Sequence, residues 1–257
     1  APRLCADFSE PLQRGRDYGD YVRLPDARLA VETDGTRLCV TGLDHGARYA
    51  ITFRSGLPAE SGERLARDVP IAAYVRDRQP SVRFPGRAYV LPRGPGAGLP
   101  VETVNTGTVD LVLRRVSDWN LVRTLQEGWF ARPLSQWQED AFSLDIAEEI
   151  WRGTGKTGNA LNRDMTTRLP MGEALGDLPA GVYALTASVP DAPDAPRATQ
   201  WFVLSDIGLT SLAGTDGLTV IARSLAEGGA REGLTVALVA RGNRVLGETT
   251  TDAEGVA

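Results

Sequence analysis

Histidine, lysine and cysteine are all scarce in this chain of 257 residues. His45 is the only histidine, which excludes most histidine-centred triads and histidine-rich metal sites. Lys156 is the only lysine among 28 basic residues, a bias that fits a GC-rich gene better than a function. No apolar run approaches the roughly 18 residues of a membrane-spanning helix. The N-terminus lacks a basic stretch followed by an apolar one, so any targeting segment is expected to have been removed or never included. A net charge of −5 argues against a nucleic-acid partner. Hydrophobic residues at 42% still supply a packed core. The expectation is a globular, non-enzymatic protein with no cofactor and no metal.

What is abundant is punctuation. Glycine at 28 and proline at 16 suit short strands joined by tight turns. In residues 1–79, Leu29, Val31 and Thr33 alternate, Asp34-Gly35 signals a hairpin, and Leu38 and Val40 resume the pattern. Tyr49 to Phe53 and Val69 to Val75 give further strands, and nothing there has a helical period. A second unit, residues 80–205, opens with a strand at Ala88 to Leu91 and a turn at Pro92 to Gly98. Residues 99–116 read as a hairpin, and Val182 to Val189 and Thr199 to Val203 as closing strands. A third unit, 206–257, carries strands at 217–225, 233–240 and 244–250, too few to close a seven-stranded sandwich. The chain is therefore expected to be a fragment of something longer.

Cys5 and Cys39 each fall out of phase with the apolar residues beside them, so each points away from its strand's apolar face. That phase suits a disulfide, worth roughly 3–4 kcal/mol by loop closure and implying an oxidising compartment. Two reduced thiols are the alternative.

A helical insertion spans about 117–176. Leu121, Val122, Leu125 and Trp129 have helical spacing, Ser135 with Gln138 resembles a capping box, and Ala147 to Trp151 reads as helix ending at Gly153. The insertion holds Trp119, Trp129, Trp137 and Trp151, four of five tryptophans. They either pack the insertion onto a sheet or form a contact patch for another domain.

No motif carries chemistry. Gly153-Thr154-Gly155-Lys156-Thr157 imitates the end of a phosphate-binding loop, but Ile150 stands where its first glycine belongs, and the string reads as a plain loop. Glu148 and Glu149 cannot share a helix face, Asp191 and Asp194 sit in a solvated loop, and His45 belongs to a turn. Arg76, Arg78, Arg83, Arg87 and Arg93 alternate with apolar residues as a solvated sheet face would.

Seven strings, in order along nearly the whole chain, resemble the macroglobulin-domain region of the bacterial alpha-2-macroglobulin family. They are Tyr18 to Leu24 (YGDYVRL), Leu38 to Leu43 (LCVTGL), Val75 to Leu91 (VRDRQPSVRFPGRAYVL) and Thr166 to Pro170 (TTRLP). Leu178 to Ala184 (LPAGVYA), Ala198 to Asp206 (ATQWFVLSD) and Thr249 to Gly255 (TTTDAEG) complete the set. The resemblance implies a mainly β chain of tandem macroglobulin-like, immunoglobulin-like sandwiches, two complete and one partial, with the helical insertion in the second. It further implies a periplasmic parent anchored to the inner membrane by an N-terminal lipid. Its partners would be target proteases and adjacent macroglobulin domains, with no membrane contact by this segment. Family members trap proteases after a bait segment is cut, and some capture them through a Cys-x-Glu-Gln thioester. Neither Cys5 nor Cys39 has that context, so bait and thioester are expected outside this chain. The rival expectation is a tandem immunoglobulin-like surface protein that binds through the tryptophan-rich insertion.

Overall fold

The computed structural model describes residues 2–91, 98–176, 178–215 and 217–257. The chain divides into two compact units, Ala1–Gln79 and Pro80–Ala257.

The first unit is built from strands β1 (Leu4–Asp7), β2 (Val22–Arg23), β3 (Ala30–Asp34), β4 (Arg37–Thr41), β5 (Arg48–Phe53) and β6 (Val69–Tyr74). They form two antiparallel three-stranded sheets, ordered β1-β4-β3 and β2-β5-β6. β3 and β4 make the hairpin read from Asp34-Gly35, with Gly35 at φ 58, where a side chain is disfavoured. Alternation sends Leu38 and Val40 of one sheet, and Ile51 and Phe53 of the other, into one shared core. Tyr18 closes it: its hydroxyl donates to the Pro58 carbonyl at 2.9 Å and accepts the Gln13 N–H at 2.8 Å.

The second unit begins with β7 (Ser81–Arg83), β8 (Ala88–Leu91), β9 (Gly98–Val104) and β10 (Thr108–Val116). Helices α1 (Asp118–Gln126) and α2 (Gln136–Asp145) follow, then β11 (Ala147–Lys156), β12 (Met165–Pro170), the single turn α3 (Gly172–Leu175), β13 (Gly181–Ser188) and β14 (Ala198–Leu204). A five-stranded sheet, β11-β10-β13-β14-β8, faces a three-stranded sheet, β12-β9-β7. Leu111, Leu113, Leu185 and Phe202 from the first meet Leu99, Val101 and Leu169 from the second in one core. Two hairpins complete the chain: β15 (Ile207–Gly214) with β16 (Gly217–Ser224), and β17 (Thr235–Val239) with β18 (Val245–Thr250).

Four expectations are corrected. Residues 99–116 are not a hairpin, because β9 and β10 lie in opposite sheets and pair with other strands. Asn105, at φ 50, turns the chain between layers, and its side-chain oxygen accepts the Asn162 N–H at 2.6 Å. Ala147 to Trp151 is not helix, so α2 ends at Asp145 and only the single turn α3 returns to helix before residue 176. Trp151 pairs with Leu113 and Glu149 with Arg114 along β10, and this cross-strand pairing outweighs the helix-like spacing. The Gly153-to-Lys156 segment is the end of β11 rather than loop. The arginines do not share one strand surface either: Arg76 and Arg78 lie in coil after β6 and Arg83 on β7, while Arg93 and the turn from Pro92 to Ala97 lie outside the described residues.

Candidate functional site

The helical layer is the feature that a plain β-sandwich would not have. Ser135 opens α2 with the capping box read from the sequence: Gln138 N–H donates to Ser135 Oγ at 3.3 Å, and Ser135 N–H to Gln138 Oε1 at 3.0 Å. The Asn120 side chain donates to the Ile146 carbonyl at 2.9 Å, tying the start of α1 to the end of α2. The layer packs on the outer face of the five-stranded sheet. Val116, Ala184 and Trp201 of the sheet meet Leu134, Phe142 and Ile146.

Trp201, on β14, is the centre of this contact and is fully buried. Its ring meets Phe142 at 5.1 Å and Phe130 at 5.6 Å, both edge to face, and Trp129 reaches Phe142 at 6.4 Å. Sequence reasoning passed Trp201 over because it lies outside the insertion; its alternation with Phe202 on β14 was the available signal.

Glu139 was also missed. It lies on the inner face of α2, 2% exposed. Its Oε1 accepts from Thr186 Oγ1 at 3.3 Å and from Thr199 Oγ1, while Arg197 stands 3.8 Å from Oε2. Arg114 donates to Thr186 Oγ1 at 3.2 Å, and burial lowers its guanidinium pKa from the ordinary arginine value while Glu139 opposes that shift. A charge taken from water needs such partners, so this cluster ties helix to sheet.

The four tryptophans of the insertion divide between the two alternatives. Trp129 packs into the helical layer's core and Trp151 against the main core. Trp119 and Trp137 are 79% and 77% exposed, on α1 and α2 respectively. Leu125 and Leu144 are exposed on the same two helices. The β17–β18 turn touches α1: the Gln126 side chain donates to the Arg241 carbonyl at 2.6 Å, and Asn243 Nδ2 to the Trp119 carbonyl at 3.1 Å.

Cys5 and Cys39 form a disulfide between directly opposed residues of β1 and β4. Cys39 is buried despite its phase, on the strand central to its sheet. The glycines beside Lys156 serve packing. In strand phase, Trp151, Gly153 and Gly155 share the inward face of β11. A Cβ at Gly153 would lie 2.4 Å from the Trp151 ring, and one at Gly155 would lie 2.7 Å from Leu169 Cδ2. The Gly-x-Gly spacing therefore makes room for side chains, not phosphate.

Among the described residues no group of three or more histidine, cysteine, aspartate or glutamate side chains could hold a metal ion, and no helix is long and apolar enough to cross a membrane. His45 lies in a turn, with Nδ1 2.7 Å from the Arg76 carbonyl. Glu149 pairs with Arg152, whose hydrogen bond holds its carboxyl below the usual range. These contacts are structural.

Residues 83–190 match the family model of the bacterial alpha-2 macroglobulin MG2 domain, and residues 204–257 that of the bacterial alpha-2-macroglobulin MG3 domain. The alpha-2-macroglobulin of Escherichia coli strain K12 is 27% identical over 99% of this chain, yet the chain spans only 16% of that protein's length. A crystal structure of the native Escherichia coli protein spanning domains NIE-MG1 is 30% identical, covers 70% of this chain and 86% of its own, and superposes with a TM-score of 0.58. The trypsin-activated Escherichia coli protein is 30% identical over 69% of this chain and 12% of its own, with a TM-score of 0.60. Matched in sequence from end to end, and in its strands as well, the chain is a fragment belonging to the bacterial alpha-2-macroglobulin family.

Proposed function

We propose that this chain is a structural scaffold of a protease trap: stiff β-modules forming part of the wall of a broad-spectrum endopeptidase inhibitor. The observation that carries the reading is the match over 99% of the chain to an alpha-2-macroglobulin, a relative of which is described in a trypsin-activated state. Neither cysteine here supplies a thioester, because both are consumed by a disulfide. Target proteases meet the full-length protein, and the neighbours of this chain are other macroglobulin modules. A periplasmic, lipid-anchored parent suits the disulfide, which needs an oxidising compartment. The module boundaries follow the sequence reading, 1–79, 80–205 and 206–257, with the last incomplete.

Stiff modules suit a trap. Each sandwich keeps its shape while the contacts between modules rearrange after bait cleavage. Exposed Trp119 and Trp137 suit such module contacts. The same exposure favours the second reading, a surface that binds a ligand directly.

The test is to incubate the full-length parent with trypsin and follow casein and a short chromogenic peptide in parallel. Trapping spares casein while the small peptide is still cleaved. Casein digestion at the uninhibited rate sinks the proposal. Isolated residues 1–257 are expected to protect neither substrate.

A further inference from the structure

Helix α2 presents two opposite faces. Glu139, Phe142 and Ile146, three and four residues apart, turn inward and are buried. Trp137, Ala141 and Leu144 repeat that spacing on the other side. Trp137 and Leu144 are 77% and 85% exposed, so an apolar ridge about 10 Å long faces water. Apolar side chains exposed singly need no explanation, but an indole and a leucine on one face of one helix are the anchors of a binding surface.

The charge around this ridge has one sign. Residues 133–149 carry five carboxylates and no basic side chain. Asp140 stands 3.8 Å from Arg197 and Glu149 pairs with Arg152, whereas Asp145 and Glu148 have no ion pair among the described residues. Beside Leu144 the surface opens into a cleft that holds Asp145, Glu148 and Glu149 against a single guanidinium, that of Arg115. The complement of an exposed indole within a field of carboxylates is arginine, which stacks on aromatic faces and pairs bidentately with carboxylates. Lys156 is the sole lysine among 28 basic residues, so arginine is also the cation that this chain uses.

The same layer already seats such a partner on α1. The β17–β18 turn is Arg241-Gly242-Asn243-Arg244, and it bonds to the Trp119 carbonyl through Asn243 Nδ2 at 3.1 Å. The Gln126 side chain donates to the Arg241 carbonyl at 2.6 Å. Asn120 ties the start of α1 to the end of α2, so the ridge continues this interface across the layer.

We propose that the Trp137–Leu144 ridge docks an arginine-bearing β-turn from another module of the parent chain, its guanidinium held by Asp145 and Glu148. The relative from Escherichia coli is matched over only 16% of its length, so the family has further modules to supply the turn. The proposal deepens the reading that the neighbours of this chain are other macroglobulin modules. It does not depend on protease trapping.

The test places the photoreactive residue p-benzoylphenylalanine at position 144 of the full-length parent. Leu144 is exposed, so its replacement leaves the core of the helical layer intact. Irradiation should give one intramolecular link, located by mass spectrometry in a turn outside residues 1–257 that carries arginine. No link, a link only between two molecules, a link only back into residues 1–257, or a link to a segment without arginine would each overturn the proposal. Charge reversal adds a second measurement. Asp145→Arg with Glu148→Arg sets like charges across the contact and should lower the docked-to-open ratio at least about tenfold, read as lost link yield. Replacing the linked arginine by aspartate should then restore the link. Undiminished linking, or a loss that this second reversal does not restore, also overturns the proposal. Casein protection is scored in the same preparations, so a parent that links without sparing casein fails as a trap and keeps the docking.

Discussion

The indole Nε1–H of Trp201 donates to the carbonyl of Arg132 at 2.9 Å, so a strand of the sandwich directly holds the connection between α1 and α2. Trp201 is fully buried between sheet and helices, and its replacement leaves a cavity on the face that holds the layer. Trp201→Ala is expected to cost about 3–5 kcal/mol, and Trp201→Phe, which keeps most of the ring and loses the hydrogen bond, roughly 1–2 kcal/mol. Chemical denaturation followed by circular dichroism checks both, and two equal costs would show that the ring retained by phenylalanine contributes nothing.

Glu139 supplies the polar counterpart of that anchor. Its Oε1 accepts from two threonine hydroxyls on adjacent strands, so Glu139→Ala takes the acceptor from both O–H groups. Each unsatisfied buried group costs about 1–3 kcal/mol, and the loss is expected to be near the lower figure for each because hydroxyls can rotate. Glu139→Gln keeps an acceptor for the threonines and should cost less than the alanine variant in the same denaturation assay. Equal losses would mean that the carboxylate charge facing Arg197, not side-chain volume or a neutral acceptor, matters at this position.

Gly155 and Lys156 separate packing from phosphate chemistry. Gly155→Ala places a Cβ 2.7 Å from Leu169 Cδ2, so overpacking should destabilise the sandwich by about 1–3 kcal/mol. The exposed Lys156→Ala should change stability by no more than about 0.5 kcal/mol. Thermal melts of both variants with and without millimolar ATP decide the matter. A shift of the parent's melt by ATP that Lys156→Ala abolishes would restore the nucleotide reading.

Period-2 alternation at Leu38 and Val40 and at Ile51 and Phe53 was legible because these four side chains share one core, so it marks both strand and core. Layer assignment was not. Val101, Thr103, Val109 and Leu111 alternate equally well in a hairpin or in strands of opposite sheets, and only the pairing of β12 with β9 and of β13 with β10 distinguishes them. Ala147, Ile150 and Trp151 carry helical spacing in a strand because a register shift between Leu113 and Arg114 breaks the alternation there. Among the tryptophans, composition could flag four side chains but not which two face inward. That choice is made by Phe142, for Trp129, and by the main core, for Trp151, both distant in sequence.

The Cys5–Cys39 bond staples the edge strand β1 to the centre of its sheet. Closing this loop should contribute roughly 3–4 kcal/mol to the first unit, chiefly by restricting its unfolded chain. Replacing both cysteines by serine is therefore expected to lower the melting temperature of residues 1–79. Residues 80–257 contain no cysteine, and their transition should be unmoved by reductant. Hydrogen-exchange mass spectrometry resolves the two regions, and a uniform loss of protection across both would contradict a local staple.

Asp206 sets a pH dependence for the last two hairpins. The backbone N–H of Ala226 donates to it at 2.9 Å, and Arg231 and the Ser224 hydroxyl add further bonds, which together hold its pKa below the ordinary aspartate value. A carboxylate with a depressed folded pKa contributes stability that is complete above its unfolded pKa and is lost as pH falls through the folded one. Asp206→Asn removes the charge at every pH, so the variant should melt below the parent at neutral pH. As acid protonates Asp206, the parent should converge on the variant, with the gap constant above about pH 5 and closing below about pH 4. Paired thermal melts between pH 7 and pH 3 measure that gap. A gap that persists undiminished to the acid end would show that packing around Asp206, not its charge, makes the difference.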